Sequence, residues 1–281
     1  MEIVEQRLTT PWEGFLAAPA QGSDAGVLVL SGSSGRVEVE RCRVLAGEGV
    51  IALSVRWFGG PGQAPGICEI PLETFGAATD RLRAAGARRI SVLGTSKGAE
   101  AALLWGVFDE RVDAVVALSP TSLVWGSFGP GLDGRSVPCR SSWSWQGRAL
   151  PFVPYDESWT RTEPEGEPVS VRSWYEQSRE AYAHLTDAAA IPVEKARAEV
   201  LLVAGGDDAM WPSLPYAEEL ALRRPVRLVS RPDAGHRIRL PGESAPAPSA
   251  AFGYGGSPAA DAALGAAAWP HLLRAVRGKT S

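Results

Sequence analysis

Cysteine and long apolar runs are both scarce in this 281-residue chain, and each shortage excludes a class of protein. The three cysteines, Cys42, Cys68 and Cys139, are too few and too scattered for a disulfide framework or a zinc site. No stretch approaches the ~20 apolar residues of a membrane span. Residues 1–19 lack the basic flank and apolar run of a secretion signal. We therefore predict a cytoplasmic protein that uses no metal or other cofactor and no membrane.

A surplus of positive charge is also missing. The formal net charge is −4, so we do not expect nucleic acid as a partner. Hydrophobic residues make up 45% and charged residues 21%, which is typical of a globular protein with a substantial core. We predict a single domain over residues 1–281, and the sequence leaves its oligomeric state open.

Short apolar runs alternate along the chain with segments of helical periodicity. This alternation predicts an α/β protein with a mostly parallel sheet flanked by helices. The predicted strands are 26–31, 50–55, 90–93, 112–118, 199–204 and 226–230. The predicted helices are 37–47, 72–85, 97–108, 213–222 and 259–276, with a kink or restart at Pro270 in the last.

Residues 120–186 interrupt this alternation. The segment is rich in Gly, Pro and Ser and holds five of the ten tryptophans, namely Trp125, Trp143, Trp145, Trp159 and Trp174. A long irregular segment inside a compact domain is often functional. We interpret it as a lid inserted over the sheet edge, with a helix over 171–185. The alternative is a surface excursion whose tryptophans pack a small core of their own.

The strongest motif is Gly94 to Gly98 (GTSKG), a G-x-S-x-G between a predicted strand and a predicted helix. That context indicates a nucleophile elbow with Ser96 at its tip. A sharp strand-to-helix turn leaves no room for β-carbons on either side of the serine, which accounts for the glycines. The helix N-terminus beneath the hydroxyl favours developing negative charge. We predict Ser96 as a catalytic nucleophile.

A serine nucleophile needs a base, and only three histidines are present. His184 lies in the inserted segment and His271 in the last helix, where surface or packing positions are expected. His236 follows the last predicted strand, at the edge where a base can reach the elbow. We predict His236 as general base and then general acid.

The base in turn needs a carboxylate to orient it and to stabilise its charged form. The strand 199–204 is followed by Asp207 and Asp208, and both are candidates. Gly-x-x-Asp spacing from Gly205 favours Asp208, with Asp207 as a turn residue that caps the following segment. The order Ser, Asp, His is typical of the α/β-hydrolase fold.

The oxyanion hole is expected to combine the backbone N–H of Lys97 with that of Ser33, in the loop after strand 26–31. The alternative for this Gly/Ser-rich loop is a plain flexible turn. The side chains of Lys97 and Arg56 lie near the same edge. Each is either a contact for a charged substrate group or a solvated surface cation.

Five stretches together resemble one known family. They are the elbow 94–100 (GTSKGAE), 191–196 (IPVEKA), 206–213 (GDDAMWPS), 234–236 (AGH) and the pair Gly255–Gly256. The chain resembles the acyl-CoA thioesterase and bile acid-CoA:amino acid N-acyltransferase family, specifically its C-terminal catalytic domain, over about residues 26–276.

The resemblance implies a nucleophile at Ser96, an acid at Asp208 and a base at His236. It implies hydrolysis of an acyl thioester, on coenzyme A or a carrier protein, through an acyl-enzyme. Two further functions use the same residues: hydrolysis of a carboxylic ester or lactone, and acyl transfer to an amine or alcohol. Family members usually carry a β-sandwich ahead of this domain, whereas about 25 residues precede the first strand predicted here.

Overall fold

A computed structural model describes residues 1–278 of the chain. Within them lie eleven strands and seven α-helices, and each of the six strands predicted from the sequence is present. The strands are β1 (Ile3–Leu8), β2 (Gly14–Pro19), β3 (Ala25–Leu30), β4 (Ile51–Val55), β5 (Ile70–Pro71), β6 (Arg89–Thr95), β7 (Ala114–Leu118), β8 (Trp143–Trp145), β9 (Arg148–Ala149), β10 (Glu199–Gly205) and β11 (Arg227–Arg231). The helices are α1 (Val39–Gly47), α2 (Thr74–Ala84), α3 (Lys97–Phe108), α4 (Arg172–Ala181), α5 (Thr186–Ala189), α6 (Ser213–Arg223) and α7 (Pro258–Arg277).

Eight of the strands form one sheet in the order β1-β2-β4-β3-β6-β7-β10-β11. The six strands from β4 to β11 in this order are parallel, whereas β2 is antiparallel to both of its neighbours. The central strands are buried on both faces, which explains their continuous apolar sequences. Since their carboxyl ends meet at one edge, the loops after β3, β6, β7 and β10 converge there.

Helices cover both faces of the sheet. One apolar core lies between the sheet and α1 and α7, and the other lies between the sheet and α2, α3 and α6. Helix α7 begins with Ser257 as its N-cap, whose hydroxyl accepts a hydrogen bond from Ala260 N–H. This helix continues through Pro270 without a restart, because the buried Leu264, Leu272 and Val276 hold it against the sheet.

The first strand expected from the sequence, at residues 26–31, is the third strand along the chain. Strands β1 and β2 precede it in the chain and form the antiparallel edge of the sheet, next to β4. The sequence pattern does not mark β1, because its position at the edge leaves residues 4–7 exposed, among them the charged Glu5 and Arg7. Strand β2 is buried but contains alanines rather than the β-branched residues typical of strands.

Residues 119–198, between β7 and β10, form the insertion segment. The helix expected over 171–185 is present as α4, followed by a 3₁₀ turn at Ala183–Leu185. Strand β8 pairs with β5 and brings Trp143 and Trp145 against the main core. Trp57, Phe75, Trp105, Trp143 and Trp145 form what we call the inner cluster. Its ring centroids are 5.2 to 6.4 Å apart in neighbouring pairs.

The five tryptophans of the insertion segment therefore divide between two places. Trp143 and Trp145 join the core of the domain, so these two do not pack a separate core of the segment. Trp125 belongs to a separate small core that includes Leu123 and Val153 of the segment, and Trp159 and Trp174 join aromatic contacts beside it. That the segment works as a lid stays a prediction. None of the helices within residues 1–278 combines the length and the apolar character needed to cross a membrane.

Candidate active site

Ser96 stands at the turn between β6 and α3, in a backbone conformation that non-glycine residues rarely adopt (φ 58°, ψ −122°). The flanking glycines make this turn possible. A β-carbon on Gly94 would lie 1.9 Å from the carbonyl oxygen of Gly98, and one on Gly98 would lie 2.3 Å from that of Ser31. The strained serine between two backbone contacts has the geometry of a nucleophile elbow.

His236 and Asp208 form a buried pair at the same edge of the sheet. The Nδ1 atom of His236 lies 2.8 Å from Oδ2 of Asp208. The side chains are 6% and 0% exposed, respectively. The other carboxylate oxygen of Asp208 accepts hydrogen bonds from Met210 N–H and Trp211 N–H. These two bonds fix the carboxylate, so it can hold one tautomer of the imidazole.

The two candidate carboxylates, Asp207 and Asp208, have different partners. Asp207 accepts a hydrogen bond of 2.7 Å from Gly256 N–H, 49 residues along the chain. It therefore ties two loops together, whereas the expected role was capping the segment that follows it. Of the two, it is Asp208 that contacts the imidazole of His236.

Three supporting groups around His236 carry no signal in the sequence. The carbonyl of Tyr254 accepts hydrogen bonds from His236 N–H and Ala209 N–H, which joins the histidine loop to the aspartate loop. The hydroxyl of Ser119 donates to the carbonyl of His236 at 2.9 Å. Asp261 accepts a bond of 2.7 Å from Gly235 N–H, and its burial raises the pKa of its carboxyl.

The Gly255–Gly256 pair of the sequence comparison has a physical role here. A β-carbon on Gly255 would lie 1.7 Å from the carbonyl oxygen of Asp207. A β-carbon on Gly235 would lie 2.2 Å from the carbonyl oxygen of Gly255. The backbones of the aspartate loop, the histidine loop and residues 254–256 are therefore in direct contact, and this contact positions Asp208 and His236.

A cavity of about 280 Å³ opens beside Ser96. Ser33, Ser34 and Lys97 line it together with Ser96, and aromatic side chains form much of the remaining wall. These are Phe128, Tyr155, Trp174, Tyr175, Trp211, Phe252 and Tyr254. The ring of His236 lies 5.7 Å from that of Trp211 and 6.1 Å from that of Tyr254, so it packs against two rings of the cavity wall.

Ser33 and Lys97, the residues expected to form the oxyanion hole, both line this cavity. Lys97 is the first residue of α3, where a backbone N–H has no acceptor within its own helix. Ser33 lies in the turn after β3, which is closed by a hydrogen bond from Gly35 N–H to the carbonyl of Gly32. The structure thus brings both backbone segments to the cavity that Ser96 lines, and their role as oxyanion donors stays a prediction.

The side chain of Lys97 meets neither of the two expectations from the sequence. It is 4% exposed, and its ammonium lies 2.7 Å from the carboxylate of Glu100, one helical turn along α3. Glu100 also accepts hydrogen bonds from Trp125 N–H and from the indole N–H of Trp143. Burial lowers the pKa of Lys97 and raises that of Glu100, while their mutual attraction opposes both shifts. Lys97 is thus an internal ion-pair partner.

The remaining candidates lie away from the cavity lining. Arg56 is 2.7 Å from the carboxylate of Glu13, so its charge is paired at the surface. His184 is exposed in the 3₁₀ turn after α4, and His271 is half-buried on α7. These two histidines occupy the surface and packing positions expected of them.

The chain is similar to curated proteins that act on acyl-coenzyme A. Acyl-coenzyme A amino acid N-acyltransferase 1 of Mus musculus is 26% identical over 235 residues, which cover 79% of this chain and 50% of that protein. Acyl-coenzyme A thioesterase 1 of Homo sapiens is 24% identical over 244 residues, with coverage of 79% and 51%. The chain thus spans about half the length of the curated relatives it matches.

Among solved structures, the alpha/beta hydrolase GrgF of a Penicillium species superposes with a TM-score of 0.53 at 16% identity, covering 84% of this chain and 91% of the other. At this identity the likeness establishes the fold, which is that of the α/β hydrolases. The family model described as "BAAT / Acyl-CoA thioester hydrolase C terminal" matches residues 70–278. With most of its length matched, including the elbow and the Asp208–His236 pair, the chain belongs to this family.

Proposed function

We propose that the protein is a serine acyl hydrolase that cleaves acyl thioesters through an acyl-enzyme on Ser96. The observation that carries the proposal is the buried His236–Asp208 pair, 2.8 Å apart, next to a cavity lined by the strained Ser96. Membership of a family described as BAAT and acyl-CoA thioester hydrolases, with relatives named for acyl-coenzyme A, favours a thioester over other acyl compounds. The thiol is then that of coenzyme A or of a carrier protein.

In the first half-reaction, Nε2 of His236 removes the hydroxyl proton of Ser96 while the oxygen attacks the thioester carbonyl carbon. Asp208 accepts the hydrogen bond from Nδ1 and stabilises the imidazolium. The backbone N–H groups of Lys97 and Ser33 donate to the oxyanion of the tetrahedral intermediate. The intermediate then expels the thiolate, which takes the proton from His236, and the acyl group stays on Ser96.

In the second half-reaction, His236 removes a proton from a water molecule, which attacks the acyl-enzyme carbonyl. Collapse of the second intermediate breaks the bond to Ser96, and His236 returns the proton to the serine oxygen. The products are a carboxylic acid and the free enzyme. In this proposal the insertion segment covers the cavity and restricts the access of bulk water to the acyl-enzyme.

Labelling with a fluorophosphonate probe tests the nucleophile. We expect the folded wild type to be labelled and the Ser96→Ala variant to be unlabelled. Thiol release from acyl-CoA tests the substrate class, in parallel with p-nitrophenyl esters of the same acids. Activity on the oxygen esters alone would contradict the thioesterase proposal. Formation of an acyl conjugate with added glycine, in place of the free acid, would identify an acyltransferase.

Neighbouring carboxylates provide a matched test of the triad. We expect Asp208→Asn to lower kcat by about 10⁴-fold, because the amide no longer orients and stabilises the imidazolium. Asp207→Asn is the control, because its amide oxygen can still accept the hydrogen bond from Gly256. Equal losses in both variants would contradict the assignment of Asp208.

A further inference from the structure

We propose that the cavity beside Ser96 is an acyl subsite built for a compact acyl group with a single ring, such as an arylacetyl group, rather than for a long linear chain. The assignment of this cavity to the acyl part of the substrate rests on the proposed function. The chemistry of the wall, its rigidity and the size of the cavity support the proposal independently of one another.

Flat aromatic rings form the wall, in an interlocked arrangement that we call the cavity cluster: Tyr155, Trp174, Tyr175 and Trp211. Tyr155 stacks on Trp174 with centroids 4.5 Å apart. Tyr175 meets Tyr155 and Trp211 edge to face at 5.5 and 5.4 Å. A ring entering this space finds aromatic partners, which attract one another beyond the effect of buried area alone.

The polar atoms of this cluster are engaged within the protein. The indole N–H of Trp174 donates to the carbonyl of Asp156, and that of Trp211 donates to the carbonyl of Ser119. The hydroxyls of Tyr155 and Tyr175 lie 3.4 Å apart. Burial raises the pKa of both hydroxyls, so they stay neutral. Because both indole N–H groups are already paired and the two neutral hydroxyls face each other, this wall suits an apolar acyl group better than the amides and phosphates of coenzyme A.

The same hydrogen bonds and ring contacts limit how far the wall can adapt. Trp125, which is fully buried, backs the cluster by stacking on Tyr155 and meeting Tyr175 edge to face at 4.8 Å. A flexible alkyl chain loses its rotational freedom in such a rigid space, whereas a ring has little freedom to lose. Rigidity therefore favours a ring over a chain of equal carbon number.

The size of the cavity sets the limit on the acyl group. Its volume of about 280 Å³ is less than twice that of an apolar cavity of about 150 Å³ that binds one benzene molecule. There is room for one ring, a short spacer and the reacting carbonyl. A long fatty acyl chain would need the wall to open.

Binding of free acids tests the subsite without any turnover. In the Ser96→Ala variant, calorimetric titration should give a Kd for phenylacetate up to about tenfold lower than for octanoate, an acid of equal carbon number. In the wild type, phenylacetyl-CoA should exceed octanoyl-CoA in kcat/KM by a similar factor. Equal or tighter binding of octanoate would overturn the proposal.

A matched pair of substitutions locates the preference. Trp174→Leu, in the same background, should bring the ratio of the two Kd values close to one. Trp145→Leu, in the inner cluster, should leave the ratio unchanged, and an equal effect of both variants would overturn the assignment of the wall. If phenylacetate keeps its preference while no acyl-CoA is hydrolysed, the subsite is supported and the thioesterase proposal is wrong.

Discussion

The insertion segment contributes tryptophans to two aromatic clusters that differ in what their rings face. In the inner cluster, Trp143 is fully buried and packs against Trp57 and Phe75, so its ring faces protein alone. In the cavity cluster, Trp174 is half-buried and lines the space beside Ser96. Tryptophans of the segment thus pack it into the core of the domain in one place and line the proposed acyl subsite in another.

Glu100 joins the two clusters. Its carboxylate accepts hydrogen bonds from the indole of Trp143, in the inner cluster, and from the backbone of Trp125, behind the cavity cluster. Lys97, the residue after Ser96, neutralises the charge of this carboxylate. We therefore expect substitutions of Lys97, Trp143 and Trp174 to lower the free energy of unfolding by progressively smaller amounts.

The largest effect is expected from Lys97→Met, which leaves the Glu100 carboxylate buried without its cation. We expect a loss of about 3–5 kcal/mol in the free energy of unfolding at neutral pH. Burial raises the folded-state pKa of Glu100, and the loss of Lys97 raises it further. A carboxyl whose pKa is higher in the folded than in the unfolded protein destabilises the fold at pH values above the unfolded-state pKa, which is near 4.5 for glutamate. The loss should therefore be smallest below that pH and grow as the pH rises through the folded-state pKa.

Urea denaturation across this pH range measures the effect. The control is the double variant Lys97→Met/Glu100→Gln, which removes both charges. Its stability difference from Lys97→Met alone should grow with pH. A loss in Lys97→Met that does not change with pH would contradict the role of the buried carboxylate.

A smaller effect is expected from Trp143→Phe, which keeps a ring in the inner cluster but removes one donor from Glu100. Leaving a buried carboxylate oxygen with fewer hydrogen bonds costs about 1–3 kcal/mol. The matched control is Trp145→Phe. Trp145 belongs to the same cluster, but its contact is ring packing on Phe108, with centroids 4.9 Å apart, instead of a hydrogen bond to Glu100. Urea denaturation measures both losses. Similar losses in the two variants would mean that the hydrogen bond to Glu100 contributes no stability beyond that of ring packing.

The smallest effect on stability is expected from Trp174→Leu in the cavity cluster. Because the side chain is half-buried against a cavity, we expect a loss of about 1 kcal/mol. The measurement is the same urea denaturation. A loss as large as that of Trp143→Phe would remove the distinction between an anchoring cluster and a substrate-facing cluster.

Sequence patterns predicted the parts of the fold whose burial is uniform. The parallel strands around β6 are buried on both faces and read as apolar runs, and the elbow could be recognised because Gly94 and Gly98 are required by its shape. Strand β1 escaped prediction because its exposed edge position requires no apolar pattern. Helix α7 runs through Pro270 because packing on the sheet compensates for the missing hydrogen bond, which a local rule cannot anticipate.

The site divides in the same way between local and long-range signals. Ser96, Asp208 and His236 could be proposed from local motifs and chain order. Asp261 and the carbonyl of Tyr254 support His236 from other segments of the chain, so no local spacing marks them. The side chain of Lys97 was expected at the surface or near a charged substrate group. Only the fold shows that it is buried together with Glu100 as an ion pair.

The elbow has a consequence for the engineering of this protein. Close backbone contacts of Gly94 with Gly98 and of Gly98 with Ser31 hold Ser96 in its unusual backbone conformation. These contacts join strand β6, the first turn of helix α3 and the residue that follows strand β3. The proposed acyl subsite takes most of its aromatic wall from segments outside that turn. If the proposed subsite is correct, exchanging residues 150–185, which hold Tyr155, Trp174 and Tyr175 of the wall, with those of relatives should alter the acyl preference while Ser96 keeps its geometry. The anchor to preserve in such chimaeras is the Glu100 carboxylate with its indole donor Trp143.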